Sequence, residues 1–451
     1  MSTIHFIFAS GQTMYPVSLS GVAAPVALTT LSSVARKMDY GKFENAICWD
    51  CSIHDDKDII ETIQMNDLVC FTVTFVNYNT SIELARQVSQ KGAIVAMGGP
   101  WITIRAKQIA RENEFLDYLV IGEGEFPLQG LLRDAIRQSG APRIIHGKVC
   151  LGEQYVTPDY SCWNNTDLEI YRSQYHQMIA SGKFGPPPEQ IPTLIFYQSS
   201  RGCIQVPRCA FCSSRLGGRL IFRSANEFHL DIDAIQSNFE GIDSRLHIFD
   251  TSDSFVSSLG RFNNEYRAHD GVTFTVYSRV DELTRDTVVA LRKLGVTKVS
   301  LGIESVSDMV LRDLGKNTTM SQNLNAVRLL KSEGISTYLN FLYGVPGETY
   351  DSARRTVDHI VDLCRAGTVY RAKGRVVTPL PGSRWFSDLC RDKQYFQSDR
   401  DIFNQLELVM TWLAAKTRIS LPEIFKINQS FIHEADTLSV THSESENVWI
   451  G

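Results

Sequence analysis

The chain has 451 residues, which at about 150 residues per domain allows two or three domains with a core of their own. Hydrophobic residues make up 43% and charged residues 21%, and no apolar run reaches the roughly 18 residues that a membrane span needs. The net charge of −5 gives no broad attraction to nucleic acid or to an anionic membrane. The N-terminal residues lack the basic stretch and apolar core of a signal peptide, so we expect a cytoplasmic protein.

The first third of the chain alternates short apolar runs with amphipathic stretches. The apolar runs lie at 4–8, 46–49, 68–74, 93–97 and 118–121, and the stretches 81–90 and 127–138 have helical periodicity. This pattern predicts a doubly wound parallel sheet covered on both faces, whose ligand site lies beyond the carboxyl ends of the strands. No Gly-x-Gly-x-x-Gly follows the first run, which argues against a dinucleotide.

A second alternating series begins at Thr193, after a less regular region and a Gly-Pro-Pro-Pro run at 185–188 that indicates a linker. Strands are predicted at 194–198, 247–249, 273–277, 298–301, 336–343 and 375–378, and helices at 227–237, 284–294, 321–332 and 352–365. About six such units in succession favour a partial or complete parallel barrel. A further helix is predicted over 401–417, and the Ser- and Glu-rich residues from 437 are expected to be poorly ordered.

The predicted fold class is therefore α/β. A Rossmann-like domain over residues 1–145 is followed by a linker over 146–192. A partial TIM-type (β/α)6 barrel over 193–385 precedes a C-terminal helical extension with a disordered tail over 386–451.

Three cysteines, Cys203, Cys209 and Cys212, lie in the loop after the first strand of the second series. In a reducing compartment clustered cysteines indicate metal ligands or catalytic groups, although ordinary loop cysteines are an alternative. Three thiolates can hold three irons of a 4Fe–4S cluster and leave the fourth iron open. A structural zinc site would need a fourth ligand, and no Cys or His lies between Cys212 and His229.

The other seven cysteines occupy apolar or isolated positions and are expected to be packing residues. The first two of them form a Cys-x-x-Cys pair that no second pair completes. They are Cys48, Cys51, Cys70, Cys150, Cys162, Cys364 and Cys390.

The three-cysteine segment resembles the radical SAM superfamily. The resemblance rests on the Arg-Gly dipeptide before Cys203, the aromatic residue before Cys212 and the two residues that separate Cys209 from Cys212. The superfamily pattern is Cys-x3-Cys-x2-Cys, whereas five residues separate Cys203 from Cys209 in this chain. The longer loop keeps all three ligands, and the resemblance extends over residues 193–385.

The same resemblance implies contacts to S-adenosylmethionine (SAM) at the carboxyl ends of later strands. It assigns Glu304 to the ribose, the turn of Gly344 and Pro346 to the adenine, and Ser278 and Arg279 to the methionine end. Each position also has a structural explanation. A glycine can simply permit a tight turn, and either charged residue can lie in a salt bridge.

Placed before such a barrel, the N-terminal domain resembles the cobalamin-binding domain of cobalamin-dependent radical SAM enzymes. The likeness is carried by Thr72, Thr74, Gly98, Gly99 and Glu123 at predicted strand ends, where small residues let the backbone approach the cofactor's nucleotide tail. The alternative is that the glycines only turn the chain and the threonines only favour strands.

One histidine bears on how that cofactor would be held. Cobalamin domains with a cobalt-ligating histidine carry Asp-x-His-x-x-Gly, and the residues around His54 do not match this spacing. We therefore expect His54 to be an exposed loop histidine, and cobalamin to bind with its base displaced and no protein imidazole on cobalt.

The resemblance implies a cobalamin-dependent radical SAM enzyme with a 4Fe–4S cluster, SAM and cobalamin as cofactors. The favoured reaction is methyl transfer to an unactivated carbon of a small metabolite or peptide-derived intermediate, through a 5′-deoxyadenosyl radical and methylcobalamin. One alternative is a ring contraction, cyclisation or other rearrangement without methyl transfer, and another is a non-catalytic cobalamin- or zinc-binding sensor.

The expected partners are the substrate and an external electron donor such as flavodoxin or ferredoxin, without nucleic acid or membrane. No motif names the substrate or a catalytic acid or base. Tyr370, Arg375 and Trp385 are candidates for facing the substrate, with core or surface roles as the alternative.

Overall fold

The computed structural model describes residues 2–11, 21–148, 156–181, 189–213, 220–262, 264–365, 369, 371–391, 405–437 and 441–442. The Gly-Pro-Pro-Pro run, Cys150 and Tyr370 lie outside the described residues. No helix among the described residues is long and apolar enough to cross a membrane.

The N-terminal sheet has six parallel strands in the order β2-β1-β3-β4-β5-β6. Successive side chains of β1 enter different cores, with Ile4 and Phe6 on one face and Ile7 on the other, as expected for a sheet covered on both sides. The strands are β1 (Ile4–Phe8), β2 (Ala46–Asp50), β3 (Leu68–Thr72), β4 (Ile94–Gly98), β5 (Tyr118–Ile121) and β6 (Arg143–His146). The helices of this part are α1 (Val26–Lys37), α2 (Asp56–Thr62), α3 (Tyr78–Gln90), α4 (Pro100–Glu112) and α5 (Glu125–Asp134).

The second sheet has seven parallel strands in the order β15-β14-β13-β12-β11-β10-β7, and a separate antiparallel pair joins β8 to β9. The strands are β7 (Thr193–Tyr197), β8 (Ser200–Arg201), β9 (Ile221–Phe222), β10 (Leu246–Asp250), β11 (Val272–Ser278), β12 (Val296–Glu304), β13 (Ser336–Tyr343), β14 (Arg371–Val376) and β15 (Thr441–His442).

The helices from the middle of the chain onward are α6 (Asn165–Ala180), α7 (Ala225–Asn238), α8 (Phe255–Ser258), α9 (Arg285–Lys293), α10 (Asp308–Leu314), α11 (Met320–Ser332), α12 (Tyr350–Arg365), α13 (Arg384–Arg391), α14 (Gln405–Lys416) and α15 (Leu421–Thr437). Four of them begin at capping boxes, in which Asn164, Ser224, Thr284 and Thr319 exchange hydrogen bonds with the third helical residue.

The second sheet curls into a half-barrel with a packed outer face and a partly open inner face. On β13, Leu339 and Phe341 are fully buried against the outer helices, whereas Tyr338 and Asn340 on the other face are only half-buried. Because alternate residues of a strand point to opposite faces, each strand contributes one row of side chains to this inner wall. The carboxyl ends of these strands form one rim.

Helix α6 connects the two sheets. A capping box of Asn164 and Asp167 starts the helix, and Tyr171, one turn further, donates a 2.8 Å hydrogen bond to the Asp50 carboxylate at the end of β2. The sequence predicted an irregular stretch here, because α6 carries few apolar residues on a single side. Its polar contacts to the N-terminal domain explain why it is nevertheless helical.

The predicted fold class is confirmed, and the observed half-barrel uses the six predicted strands in the predicted sequence. The short strand β15, which pairs with Arg371 and Ala372, lies in the segment that was expected to be poorly ordered. The helices α1, α2 and α4 were not predicted individually.

Candidate active site

The loop that carries the three cysteines is closed by the β8–β9 pair, in which Ser200 faces Phe222 and Arg201 faces Ile221. The Ser200 amide donates a 2.8 Å hydrogen bond to Ser252 Oγ beyond β10. The start of the loop is therefore fixed to the rim of the half-barrel.

The middle of this loop is held by the end of α10 and the start of α13. Gln205 lies between the first two cysteines, is buried, and donates a 2.8 Å hydrogen bond to the Gly315 carbonyl. The amide of the buried Ala210 donates a hydrogen bond to the Leu314 carbonyl, and its carbonyl accepts one from the Trp385 amide, each at 3.1 Å. The five-residue spacing therefore places an anchoring side chain inside the loop.

The three cysteines are half-buried, and no disulfide joins them to another described residue. Cys212 donates its amide to the Cys209 carbonyl at 3.1 Å. Burial raises the pKa of Cys209, and the nearby cations Lys316 and Arg279 act in the opposite direction. Cys203 is also close enough to Arg279 for their charges to interact. The cysteines therefore share one partly positive environment.

Three half-buried thiols in one loop are donors of the kind that an iron–sulfur cluster takes. Within the described part of the chain, no three His, Cys, Asp or Glu side chains are close enough to share one metal ion. An iron–sulfur cluster is held by one cysteine for each iron, so its ligands need not meet at one point. The half-buried thiols beside cations suit an anionic cluster with thiolate ligands.

Glu304 ends β12 at an irregular point of the sheet. The register with β13 shifts between Gly302 and Glu304, and Glu304 has a φ of 59°, which is uncommon for a residue with a side chain. Its carboxylate lies 3.0 Å from Nζ of Lys316, which also donates to the Gly302 carbonyl at 2.9 Å. A side chain at Gly302 would meet Glu304 Oε1 at 2.6 Å.

Arg279 and Ser278 follow directly along β11 and are both buried. The guanidinium of Arg279 forms a two-pronged contact with Asp281, at 2.9 and 2.6 Å. Ser278 Oγ donates to the Arg279 carbonyl at 2.9 Å. Arg279 therefore does form the salt bridge that the sequence left as an alternative. It also lies near Cys203, so it belongs to the candidate site as well.

The turn at Gly344 and Pro346 is built around a buried carboxylate. Gly344 donates its amide to Glu348 Oε2 at 2.5 Å, and its carbonyl accepts a 2.7 Å hydrogen bond from Trp412 Nε1 on α14. The φ of Gly344 is 76°, and an added Cβ would lie 2.6 Å from Leu413, so glycine is required. Burial raises the pKa of Glu348 to about 8.

The small residues of the N-terminal domain meet at the carboxyl edge of its sheet. Thr72 pairs with Gly98 across β3 and β4, and the Thr74 amide donates to Asn77 Oδ1 at 2.7 Å. Gly99 has a φ of 102°, and a Cβ there would lie 2.6 Å from the Val73 carbonyl oxygen. The predicted cobalamin-contacting residues thus form one continuous edge.

Glu123 at this edge takes part in an ion pair between the two halves of the molecule. Terminal nitrogens of Arg201 lie 2.5 Å from Glu123 Oε2 and 2.5 Å from Glu125 Oε1. Because Arg201 stands two residues before Cys203, this arginine joins the cysteine loop directly to the edge of the first sheet.

The expectation that His54 is an exposed loop residue was wrong. His54 Nε2 lies 3.1 Å from Asp167 on α6, and Nδ1 lies 3.1 Å from backbone atoms of Asp50. The ring also packs edge-to-face on Trp49 and stacks with Trp163. Helix α6 covers this loop, and both ring nitrogens are engaged, which argues against a cobalt-ligating role.

Sequence reasoning missed Lys316, Gln205 and the pairing role of Arg201. Lys316 follows a helix, whereas the sequence analysis looked for site residues at the carboxyl ends of strands. Gln205 lies inside the unusual spacing, and that spacing is the signal that could have drawn attention to it.

The comparisons with known proteins agree with this geometry. The Radical SAM superfamily matches residues 197–360. An uncharacterized methyltransferase of Pyrococcus horikoshii is 26% identical over 86% of this chain and 80% of its own length. The anaerobic magnesium-protoporphyrin IX monomethyl ester cyclase of Rubrivivax gelatinosus is 24% identical over 79% of this chain and 64% of its own length.

A solved structure has the same overall fold. The radical S-adenosylmethionine methyltransferase TsrM from Kitasatospora setae, with cobalamin and a [4Fe-4S] cluster bound, superposes with a TM-score of 0.63. It covers 88% of this chain and 76% of its own length at 18% identity. The predicted recognition and cofactor set agree with these relatives. Residues 197–360 form a radical SAM domain, and the Rossmann-like domain before it gives the chain the overall fold of TsrM.

Proposed function

We propose that this enzyme is a cobalamin-dependent radical SAM methyltransferase that adds a methyl group to an unactivated carbon of a small molecule. One observation carries the proposal. The ion pairs of Arg201 with Glu123 and Glu125 bring the cysteine loop of the half-barrel to the small-residue edge of the Rossmann-like sheet. Two cofactors held at these loops would face one shared space.

In this proposal Cys203, Cys209 and Cys212 hold the cluster, while Glu304 and Arg279 face SAM. The edge formed by Thr72, Thr74, Gly98 and Gly99 receives the nucleotide tail of cobalamin. Together the bound groups would supply a carbon-centred radical and a transferable methyl group.

The chain's own residues orient these groups and control the local charge. Lys316 fixes the Glu304 side chain, because the two side chains are buried together 3.0 Å apart. Burial works to lower the pKa of Lys316, but Glu304 and Cys209 more than compensate, so the net shift is upward and the ammonium stays charged. Gln205 fixes the cysteine loop through its side-chain amide and Ala210 through its backbone, which limits the loop's movement when a ligand binds.

A rearrangement without methyl transfer is the second candidate. The relative from Rubrivivax gelatinosus is named as a cyclase, so a similar chain is associated with another reaction. The named methyltransferases among the relatives favour methyl transfer. In either case we propose that a small electron-transfer protein, such as flavodoxin or ferredoxin, supplies electrons.

The deciding experiment uses SAM with a deuterated methyl group. The anaerobically reconstituted enzyme is incubated with a reductant and a metabolite extract, and the products are analysed by mass spectrometry. We expect a product that carries the labelled methyl group, and 5′-deoxyadenosine beside it. A new product without label would instead establish a reaction without methyl transfer.

A further inference from the structure

The inner wall of the half-barrel is positively charged along β14. Ala372, Gly374 and Val376 are buried on the outer side of this strand. The intervening residues Arg371, Lys373 and Arg375 therefore point to the inner wall. Three consecutive inward positions of one strand are thus basic.

A fourth cation lies on the same wall. This cation is Lys298 of β12, which pairs with Ser336 at the start of β13, and Tyr338 of β13 pairs in turn with Arg371 of β14. The basic residues therefore lie on both sides of β13. The guanidinium of Arg371 lies over the Tyr338 ring, 5.4 Å from its centroid. These cations are therefore part of one continuous surface.

The described strands add few carboxylates to this wall. Among the inward positions of β10 to β14 the one carboxylate is Glu304, which already pairs with Lys316. His247 is held between the hydroxyls of Thr273 and Thr275, at 2.8 Å from each. Burial lowers the pKa of His247 to about 3, so its ring is neutral.

At the carboxyl rim, Arg375 and Tyr277 are the inward side chains that remain exposed. Tyr277 keeps 38% of its surface, and its ring lies 5.1 Å from that of Phe249. Burial raises the pKa of Tyr277, and the titratable groups that act on it are Tyr338, Arg375 and, from the loop after β10, Asp253. An aromatic surface and an accessible guanidinium therefore lie at the mouth of the half-barrel.

SAM does not account for these groups. Its adenine, expected at the Gly344 turn beside β14, carries no anionic group for a guanidinium, and its proposed contacts Arg279 and Glu304 lie near Cys209. A fully apolar substrate does not fit either, since it would remove charged side chains from water without replacing their hydration. A planar, fork-shaped guanidinium suits a carboxylate or phosphate.

We propose that the substrate is a small anionic molecule, and that Arg375 binds its carboxylate or phosphate while Tyr277 packs against the adjoining part. This inference rests on the proposed function, because it assigns the substrate class of the same site. It makes Arg375 a specificity-determining residue.

The test measures binding without turnover. The holoenzyme is reconstituted with cluster, cobalamin and SAM, kept without reductant, and titrated anaerobically by calorimetry with phenyl phosphate, benzoate and benzyl alcohol. We expect one or both anions to bind at least about tenfold more tightly than the alcohol, as a charge-assisted hydrogen bond allows. The tighter anion tells phosphate recognition from carboxylate recognition.

Variants assign the effect to Arg375. Arg375→Gln should weaken anion binding about tenfold and leave benzyl alcohol unchanged, whereas Arg375→Lys should retain most of the preference. Arg267→Gln, at a guanidinium that is 57% exposed and pairs with Asp233, is the matched control and should change nothing. Equal binding of the three probes, binding of none, or an Arg375→Gln variant that behaves like the control would overturn the proposal.

The two proposals can fail separately, because the calorimetry involves no methyl transfer. Label in a neutral product, together with no preference for anions, would overturn only the substrate class. Preference for anions without label in any product would overturn only the methyl transfer.

Discussion

Single buried carboxylates control the turns around the candidate site. Glu304 ends β12, and Glu348 lies in the turn after β13. Glu304 has Lys316 as a partner, whereas Glu348 accepts only backbone amides among the contacts described. Both turns were predicted from the sequence, because each follows the carboxyl end of a predicted strand. The sequence could not identify Lys316 as the partner, because the contact depends on how the chain returns after α10.

The pH dependence of stability should reveal Glu348. Burial raises its pKa from 4.5 to about 8, so between these values the folded state holds a proton that the unfolded state has lost. Stability therefore falls as pH rises through this range. The Glu348→Gln variant cannot titrate at this position. Between pH 5 and pH 8 its free energy of unfolding should therefore fall by about 2–4 kcal/mol less than that of the unaltered protein.

The measurement is the Tm of both proteins from pH 5 to pH 8. The advantage of Glu348→Gln should grow with pH, whereas Glu282, whose pKa burial raises to about 7, contributes equally to both proteins. Parallel Tm curves would show that Glu348 does not titrate in this range.

His54 gives a second prediction at this scale. Because both of its ring nitrogens have partners, electron paramagnetic resonance of the Co(II) form should show no axial nitrogen splitting from a protein imidazole. The spectrum of His54→Ala should be the same in this respect. Nitrogen splitting that disappears in His54→Ala would make this histidine a cobalt ligand.

At the scale of elements, the cysteine loop and the first sheet are connected through one arginine. The Arg-Gly dipeptide was recognised in the sequence, but its contact with Glu123 and Glu125 could not be, since the sequence does not give the relative placement of the two sheets. Arg201 and Glu125 are both largely buried, so removal of one partner leaves a costly uncompensated charge.

Arg201→Gln should therefore destabilise the protein by about 3–5 kcal/mol. The triple variant Arg201→Gln, Glu123→Gln, Glu125→Gln should recover most of this loss, because it leaves no buried charge without a partner. Chemical denaturation of the single and triple variants measures both values. Equal destabilisation of the two variants would contradict the account of this ion pair.

At the scale of the whole molecule, the sequence predicted two parallel sheets and their strands closely. Patterns of apolar runs report burial directly, which is why β1, β5 and β13 were located to the residue. Helix α6 and strand β15 were missed because their formation depends on contacts with distant parts of the chain. The same reason hid the basic inner wall, whose charges only become neighbours once the sheet is assembled.

The most direct measurement is of iron and SAM cleavage after anaerobic reconstitution. The unaltered protein should hold about four irons and form 5′-deoxyadenosine, as should Cys390→Ala, which removes a half-buried cysteine of α13 outside the cysteine loop. The variant with Cys203, Cys209 and Cys212 all changed to Ala should keep its circular dichroism spectrum, bind no cluster and form no 5′-deoxyadenosine. Continued formation of 5′-deoxyadenosine by that variant would contradict the account.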